Sequence, residues 1–129
     1  MRILLVEDDI AEAQATMDAV REAAPAAQAH WAKDGEEALE FLFCSGRYAG
    51  RDVRERPALV LLDFKMPKID GIEVLRRLQH SPAKGIPVVV LASSPEERNV
   101  LGSYHLGAAA LIVKPVGGAA LRETLKTLV

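Results

Sequence analysis

The sequence predicts an α/β protein in which a doubly wound, five-stranded parallel sheet is packed between five helices. Short, uninterrupted apolar runs alternate along the chain with stretches in which apolar residues recur every three or four positions. The short runs are typical of parallel strands buried on both faces, and the longer stretches are typical of amphipathic helices. Regular alternation of the two favours right-handed crossovers from each strand to the next.

Two strand–helix units and a long loop are predicted in the first part of the chain. Arg2–Val6 forms the first strand, and Pro25 ends the helix that follows it. Gln28–Ala32 forms a short second strand, and the apolar residues within 38–42 mark the second helix. The stretch Cys44–Arg56 is polar and contains glycine, so it is predicted to be an extended surface loop.

Three further strands follow, and each has a helix after it. The strands are predicted at Ala58–Leu62, Ile86–Leu91 and Leu111–Val113. The apolar residues of the three helices are Val74, Leu75 and Leu78, then Val100, Leu101 and Tyr104, and finally Leu121, Leu125 and Leu128. Capping boxes, which satisfy free amides at a helix start, support four of the helices. They pair Asp9 with Glu12, Asp34 with Glu37, Asp70 with Glu73 and Ser94 with Glu97.

Composition narrows the class of protein further. The chain has 129 residues and is 50% hydrophobic, which is typical of one globular domain spanning residues 1–129. A net charge of −2 without a basic patch argues against a nucleic-acid partner. No apolar run approaches the roughly 18 residues that suggest a membrane span. The single cysteine, Cys44, excludes an internal disulfide, so a cytoplasmic location is expected.

Charged residues stand at the carboxyl ends of three predicted strands. Glu7 and Asp8 follow the first strand, Asp63 follows the third, and Lys114 follows the fifth. Parallel strands present their carboxyl ends at one edge of the sheet, where α/β proteins place their sites, so these side chains should converge. Close carboxylates repel one another, and a hard cation such as Mg²⁺ relieves that repulsion. The pattern therefore predicts a site for Mg²⁺ and a phosphoryl group, with Asp9 serving as a helix cap.

Three segments of the chain resemble, in order, the motifs of the response-regulator receiver domain of two-component signalling. They are Val6–Asp9, Leu61–Gly71 and Val113–Pro115, and the resemblance extends over essentially the whole chain. It implies the flavodoxin-like strand order 2-1-3-4-5 and a cis peptide bond after Lys114. The loop Cys44–Arg56 further resembles that of stand-alone receivers partnered with phytochrome-type histidine kinases.

The resemblance assigns a role to each residue at the strand ends. Asp63 is expected to accept a phosphoryl group from a sensor histidine kinase, as a carboxylate nucleophile. Asp8 is expected to bind Mg²⁺ directly, Glu7 through a water molecule and Lys65 through its backbone carbonyl, with Asp63 as a further ligand. Lys114 is expected to pair with the phosphoryl oxygens, because its ammonium group is a mobile point charge suited to phosphate.

Two positions depart from the family pattern for reading out phosphorylation. A Thr or Ser usually ends the fourth strand, but the family spacing places Ala92 there. Ser93 is adjacent, and it could replace that hydroxyl only if a bulge or turn redirected its side chain. The aromatic residue usually found three positions before Lys114 is Leu111. The family also implies a homodimer through the face formed by the fourth helix, the fifth strand and the fifth helix (the α4-β5-α5 face).

Two other functions compete with that of a phosphoacceptor. A receiver-like interaction module that works without phosphorylation is compatible with Ala92 and Leu111. A nucleotide-binding enzyme would need a glycine-rich turn after the first strand, where an acidic run stands instead. An aspartate-nucleophile phosphatase would typically have a second acid at the position of Lys65. No enzyme activity is therefore expected beyond self-dephosphorylation of Asp63.

Overall fold

Five parallel strands form one sheet in the computed structural model, which describes residues 1–97, 99 and 107–128. The strands are β1 (Arg2–Val6), β2 (Gln28–Ala32), β3 (Leu59–Asp63), β4 (Val88–Ala92) and β5 (Ala110–Val113). Their order across the sheet is β2-β1-β3-β4-β5, so β1 and β3 are neighbours although β2 separates them in the chain. The predicted fold class and strand order are confirmed.

Helices cover both faces of this sheet. They are α1 (Ile10–Ala23), α2 (Gly35–Phe43), α3 (Gly71–Gln79) and a helix at Gly118–Leu128, hereafter the Gly118 helix. Residues 95–97 are also helical. The rest of the predicted fourth helix, with its apolar residues Val100, Leu101 and Tyr104, lies outside the described residues. None of the described helices combines the length and the apolar character that a membrane span requires.

Two apolar clusters, one on each face of the sheet, explain why the strands are buried. Successive strand residues point to opposite faces. Leu4 and Val6 of β1 belong to the cluster that includes residues of α2 and α3. Ile3 and Leu5 belong to the cluster that includes residues of α1 and the Gly118 helix. Because β3 and β4 are buried along their whole length, polar side chains of the central strands are confined to the strand ends.

Aspartate caps fix the starts of three helices, as the capping boxes predict. Asp9, Asp34 and Asp70 each accept a hydrogen bond from the backbone N–H three residues later, at 2.9, 2.8 and 2.9 Å. In the first of these boxes, the carboxylate of Glu12 does not accept a hydrogen bond from the backbone N–H of Asp9. The carboxylate of Glu12 instead accepts a hydrogen bond from Lys114 at 2.8 Å. The start of α1 thus brings a further carboxylate to the carboxyl edge of the sheet.

The fourth strand differs from its predicted bounds at both ends. It begins at Val88 rather than Ile86, because Pro87 has no N–H to donate to a neighbouring strand. The carbonyl of Pro87 accepts a hydrogen bond from Val60 at 3.0 Å, so the chain is already aligned with β3 there. The strand also continues through Ala92, one residue beyond the predicted end.

The surface loop predicted at Cys44–Arg56 is present, and it includes one short helical turn. Gly46–Tyr48 forms a short 3-10 turn. Arg51 holds the rest of the loop against α2 by donating two hydrogen bonds to the carbonyl of Phe41, at 2.9 and 2.7 Å. The guanidinium group of Arg51 also lies 4.3 Å from the centre of the Phe41 ring. These contacts could not be predicted from local sequence patterns, because they join the loop to a helix.

Candidate functional site

Asp63 ends β3 at the centre of the carboxyl edge, and it is only 3% exposed. The chain turns sharply after it, since the N–H of Gly71 donates to the carbonyl of Phe64 at 3.0 Å. A side chain at position 71 would overlap the backbone carbonyl of Asp63. Glycine is therefore required where the turn packs against the end of β3.

Glu7 and Asp8 come to the same place from the end of the adjacent strand, β1. Together with Asp63, they each place one carboxylate oxygen within 4.8 Å of the others. Glu7 is fully buried, whereas Asp8 is exposed. The predicted convergence of acids from the first and third strands is thus present in the structure.

The backbone of Glu7 is fixed by the neighbouring strand β2. Its N–H donates to the carbonyl of Ala32 at 3.1 Å, and its carbonyl accepts a hydrogen bond from Nε1 of Trp31 at 2.8 Å. This indole contact joins β2 to the end of β1, and no local pattern in the sequence indicates it.

Lys114 reaches this acidic group from the end of β5. Its Nζ lies 2.9 Å from Oδ1 of Asp63, 3.1 Å from Oε1 of Glu7 and 2.8 Å from Oε2 of Glu12. Its backbone N–H donates to the carbonyl of Ala92 at 2.7 Å, which holds the end of β5 against β4. The peptide bond from Lys114 to the following proline is cis, as expected. Of these partners, Glu12 was not predicted, because the sequence pattern assigned it to the capping box with Asp9.

Burial is the main reason why the pKa values of two carboxyls in the site rise. Burial raises the pKa of Glu7 to about 8, and the negative charge of Asp63 adds to this effect while Lys114 opposes it. Burial also raises the pKa of Asp63, and the hydrogen bond from Lys114 again opposes the rise. For Lys114 itself, burial would lower the pKa, but the bonds to Glu12, Asp63 and Glu7 raise it overall. The ammonium group of Lys114 therefore stays charged, whereas Glu7 is mostly protonated near neutral pH.

A divalent cation fits the donor set that these acids form. Hard cations prefer carboxylate and carbonyl oxygens, and a cation between Asp8, Asp63 and Glu7 would offset the charge that burial makes unfavourable. Asp8 and Asp63 would be the direct ligands and Glu7 would act through a water molecule. The exposed position of Asp8 leaves one side of the site accessible to water and to a donor molecule.

The departures from the family pattern surround the same edge. Ala92 is fully buried at the end of β4 and brings no hydrogen-bonding side chain. Ser93 lies beside Lys114 and Glu12, with which it lines a cavity of about 220 Å³. Leu111 is half-buried and packs against the apolar cluster that includes residues of α2 and α3. Ser93 is thus close to Lys114, and the residue at position 111 is not aromatic.

Comparison with known proteins agrees with this arrangement of fold and site. The family model of the response regulator receiver domain matches residues 3–126. Response regulator Rcp1 from Synechocystis sp. is 39% identical over 105 residues, which cover 81% of this chain and 69% of Rcp1.

Solved structures of phytochrome-associated response regulators are also similar. The bacteriophytochrome response regulator AtBRR is 41% identical, covers 98% of this chain and 91% of its own, and superposes with a TM-score of 0.91. The phosphorylated cyanobacterial phytochrome response regulator RcpA is 35% identical with a TM-score of 0.78, over 98% of this chain and 89% of its own. A Mn²⁺-bound form of Rcp1 is 34% identical with a TM-score of 0.76, over the same shares of the two chains. A chain with this match, this strand order and these acids at one edge belongs to the response regulator receiver domain family of two-component signalling.

Proposed function

We propose that this protein is a single-domain response regulator, spanning residues 1–129, that accepts a phosphoryl group on Asp63 from a sensor histidine kinase of the phytochrome type. The observation that carries the proposal is the buried carboxylate of Asp63 with Lys114 at 2.9 Å and the acids of β1 beside it. The similarity to Rcp1, RcpA and AtBRR supports the choice of kinase. The alternative of a module that works without phosphorylation rests on Ala92 and Leu111 alone, and the comparisons do not favour it.

The proposed reaction is a transfer between two nucleophiles. A carboxylate oxygen of Asp63 forms a bond to phosphorus while the phosphorus–nitrogen bond of the kinase phosphohistidine breaks. The electron pair of that bond stays on the imidazole, which takes up a proton. Lys114 offsets negative charge on the phosphoryl oxygens throughout the transfer. Later attack by water on phosphorus would return Asp63 to a carboxylate, which is the only self-catalysed reaction that we propose.

We propose Mg²⁺ as the cation of this site, held by Asp8 and Asp63 directly, by Glu7 through water and by the carbonyl of Lys65. The acidic cluster and the Mn²⁺-bound form of Rcp1 support a divalent ion here. When bound, the ion supplies positive charge that offsets the phosphoryl group and orients it for in-line attack. The ammonium group of Lys65 has no lone pair to offer a cation, so the contribution of Lys65 to the metal would come from its backbone carbonyl.

The experiment that tests the function uses acetyl phosphate as a small phosphodonor. Wild type should gain the mass of one phosphoryl group in the presence of Mg²⁺ and not in the presence of EDTA. Asp63→Asn should gain none under either condition, because an amide cannot form the acyl phosphate. The exposed residue Asp18 provides a control of the same chemistry, and Asp18→Asn should behave as wild type. Phosphorylation of Asp63→Asn, or no phosphorylation of wild type, would contradict the proposal.

We further propose a cytoplasmic location and a homodimer through the face that includes β5 and the Gly118 helix. Leu111 of β5 is half-buried, and the helix expected to complete this face lies largely outside the described residues. Size-exclusion chromatography with and without beryllofluoride and Mg²⁺ tests the dimer. A single elution volume corresponding to a monomer under both conditions would contradict it.

A further inference from the structure

Glu97 is an additional carboxylate beside the end of β4, and it contacts two hydrogen-bond donors, the N–H of Ser93 and the ammonium group of Lys65. Its Oε1 accepts a hydrogen bond from the backbone N–H of Ser93 at 2.7 Å. Its Oε2 lies 3.7 Å from Nζ of Lys65. The side chain is only 12% exposed. The N–H of Glu97 donates to Oγ of Ser94 at 3.3 Å, and this turn directs the carboxylate back towards the end of β4.

The two donors held by Glu97 belong to residues that are near Asp63, one along the chain and one on the neighbouring strand. Lys65 is two residues beyond Asp63 in the chain. Ser93 follows β4, whose residue Leu91 is aligned with Asp63 on the neighbouring strand about 5 Å away. Lys114, which already contacts Asp63, lines one cavity together with Ser93. A phosphoryl group on Asp63 that contacts Lys114 would therefore extend towards the cavity that Ser93 lines.

The side chain that ends β4 cannot stabilise such a group, since Ala92 has neither a donor nor a charge. Phosphorylation would change the charge at Asp63 from about −1 to about −2. The nearby backbone amide of Ser93 and the ammonium group of Lys65 are suitable partners for that charge. In the structure both are engaged by the carboxylate of Glu97, which is itself an anion.

We propose that Glu97 is a positioning residue that competes with the phosphoryl group on Asp63 for the N–H of Ser93 and the ammonium of Lys65. This inference rests on the proposed function. Phosphorylation displaces the carboxylate of Glu97, and the two donors turn to the phosphoryl oxygens. The turn from Ser94 to Glu97 then loses its contact with the end of β4. Such a rearrangement reports the state of Asp63 without a hydroxyl at position 92 or an aromatic ring at position 111.

The competition predicts how variants bind beryllofluoride, which imitates a phosphoryl group on an aspartate. In the presence of Mg²⁺, Glu97→Gln and Glu97→Ala should both bind it about tenfold more tightly than wild type, because the competing charge is gone. Glu96→Gln is the matched control, since Glu96 is the exposed neighbour of Glu97 in the same turn. It should bind within about twofold of wild type. The fluorescence of Trp31, the single tryptophan, measures binding because its indole contacts Glu7.

Glu97→Gln separates competition from a merely structural role. Glutamine keeps an acceptor for the amide of Ser93 but removes the charge. If Glu97 only caps the turn, Glu97→Gln should bind beryllofluoride as wild type does and only Glu97→Ala should differ. The amide proton of Ser93 provides a second readout by NMR. It should exchange slowly in free wild type, rapidly in free Glu97→Ala, and slowly again in both proteins with beryllofluoride.

The outcomes distinguish this inference from the proposed function. Two results would overturn the inference alone. One is that Glu97→Gln binds beryllofluoride with the same affinity as wild type. The other is that the amide of Ser93 stays unprotected from exchange in Glu97→Ala with beryllofluoride bound. Absence of beryllofluoride binding in wild type and in every variant would overturn the proposed function and the inference with it. Tighter binding by both Glu97 variants, with Glu96→Gln unchanged and the amide protected, would establish the competition.

Discussion

Lys114 contacts three carboxyl groups, and two of these partners are almost fully buried. The side chain of Lys114 is 9% exposed, that of Asp63 4% and that of Glu7 0%. Charges removed from water depend on nearby partners, and loss of one partner from a buried pair typically destabilises by about 3–5 kcal/mol. The stability of the fold should therefore depend on Lys114, in addition to the binding of a phosphoryl group.

Replacing Lys114 with methionine is predicted to lower the free energy of unfolding by about 3 kcal/mol near neutral pH. Methionine keeps an apolar stem but leaves the buried carboxylate of Asp63 without a cation and Glu7 without its hydrogen bond from Lys114. The double variant Lys114→Met/Asp63→Asn should recover about half of the loss, because the unpaired charge of Asp63 is removed while Glu7 still lacks that hydrogen bond. Urea denaturation of wild type, the two single variants and the double variant measures the coupling.

A lysine on the surface provides the control for this measurement. Lys126 is 67% exposed and pairs with Glu123 on the same helix. Lys126→Met should change the free energy of unfolding by less than about 0.5 kcal/mol. If Lys114→Met were as stable as Lys126→Met, the buried ion pairs would not contribute as described.

At the scale of secondary-structure elements, the turn from β3 into α3 determines where Asp63 is held. This turn includes Lys68 with a φ of 66°, in the left-handed region, and it ends at Gly71 against the end of β3. The atoms that a side chain at position 71 would meet belong to the backbone of Asp63 and Phe64, so they cannot move aside cheaply. A change in this turn would therefore move the end of β3 that carries Asp63.

Gly71→Ala is predicted to destabilise the fold by about 2 kcal/mol or more and to weaken Mg²⁺ binding, because the end of β3 must shift. Gly50→Ala is the matched control, since a Cβ at position 50 would meet nothing within 4 Å. Thermal unfolding and titration with Mg²⁺ measure the two effects. Equal stability and equal Mg²⁺ affinity of the two variants would show that the turn tolerates a side chain.

The long loop is joined to β2 and α2 by a small polar network. The hydroxyl of Tyr48 donates to Oε2 of Glu37 at 2.5 Å, and Nε2 of His30 lies 2.9 Å from the same hydroxyl. Since Tyr48 donates its proton to Glu37, it accepts a hydrogen bond from neutral His30. The ring of His30 also stacks on Phe41 with centroids 4.5 Å apart. Burial lowers the pKa of His30, with Glu37 opposing and Arg51 adding to this shift.

The lowered pKa of His30 predicts a loss of stability as the pH falls from about 7 to about 5. The unfolded chain takes up a proton on this histidine at a higher pH than the folded protein does, so acid favours unfolding. His30→Asn should show a shallower decline over this range, whereas the exposed control His80→Asn should follow wild type. Denaturant unfolding at a series of pH values measures the slopes. A His30→Asn slope equal to that of wild type would contradict the assignment.

At the scale of the whole molecule, strand order explains why distant residues meet. Adjacent positions of β1 and β3 bring Glu7 and Asp8 beside Asp63. Lys114 ends β5, which is separated from β3 by β4, and its long side chain spans that distance. Each of these residues lies at a strand end because the strand interiors are occupied by the two apolar clusters.

The features that could be predicted from the sequence are those that depend on local patterns, and contacts between separate elements could not be predicted. Apolar runs and capping boxes are local patterns, and they indicated the strands, the helix starts and the charged residues at the strand ends. The contacts of Glu12, Trp31 and Glu97 with the site could not be predicted, because each joins elements that are separate in the pattern. Ser93 illustrates both local and non-local information. Alternation along a strand predicted that its side chain points away from that of Ala92, and only the structure placed it beside Lys114.

The central claim is that Asp63 carries the phosphoryl group, and chemical trapping of the modified residue tests it most directly. Borohydride reduces an aspartyl phosphate to homoserine, so the protein would be treated with acetyl phosphate and Mg²⁺, reduced, digested and sequenced by mass spectrometry. The account predicts homoserine at position 63 and unmodified Glu7, Asp8 and Glu97. Homoserine at Asp8 instead, or no homoserine at position 63, would contradict it.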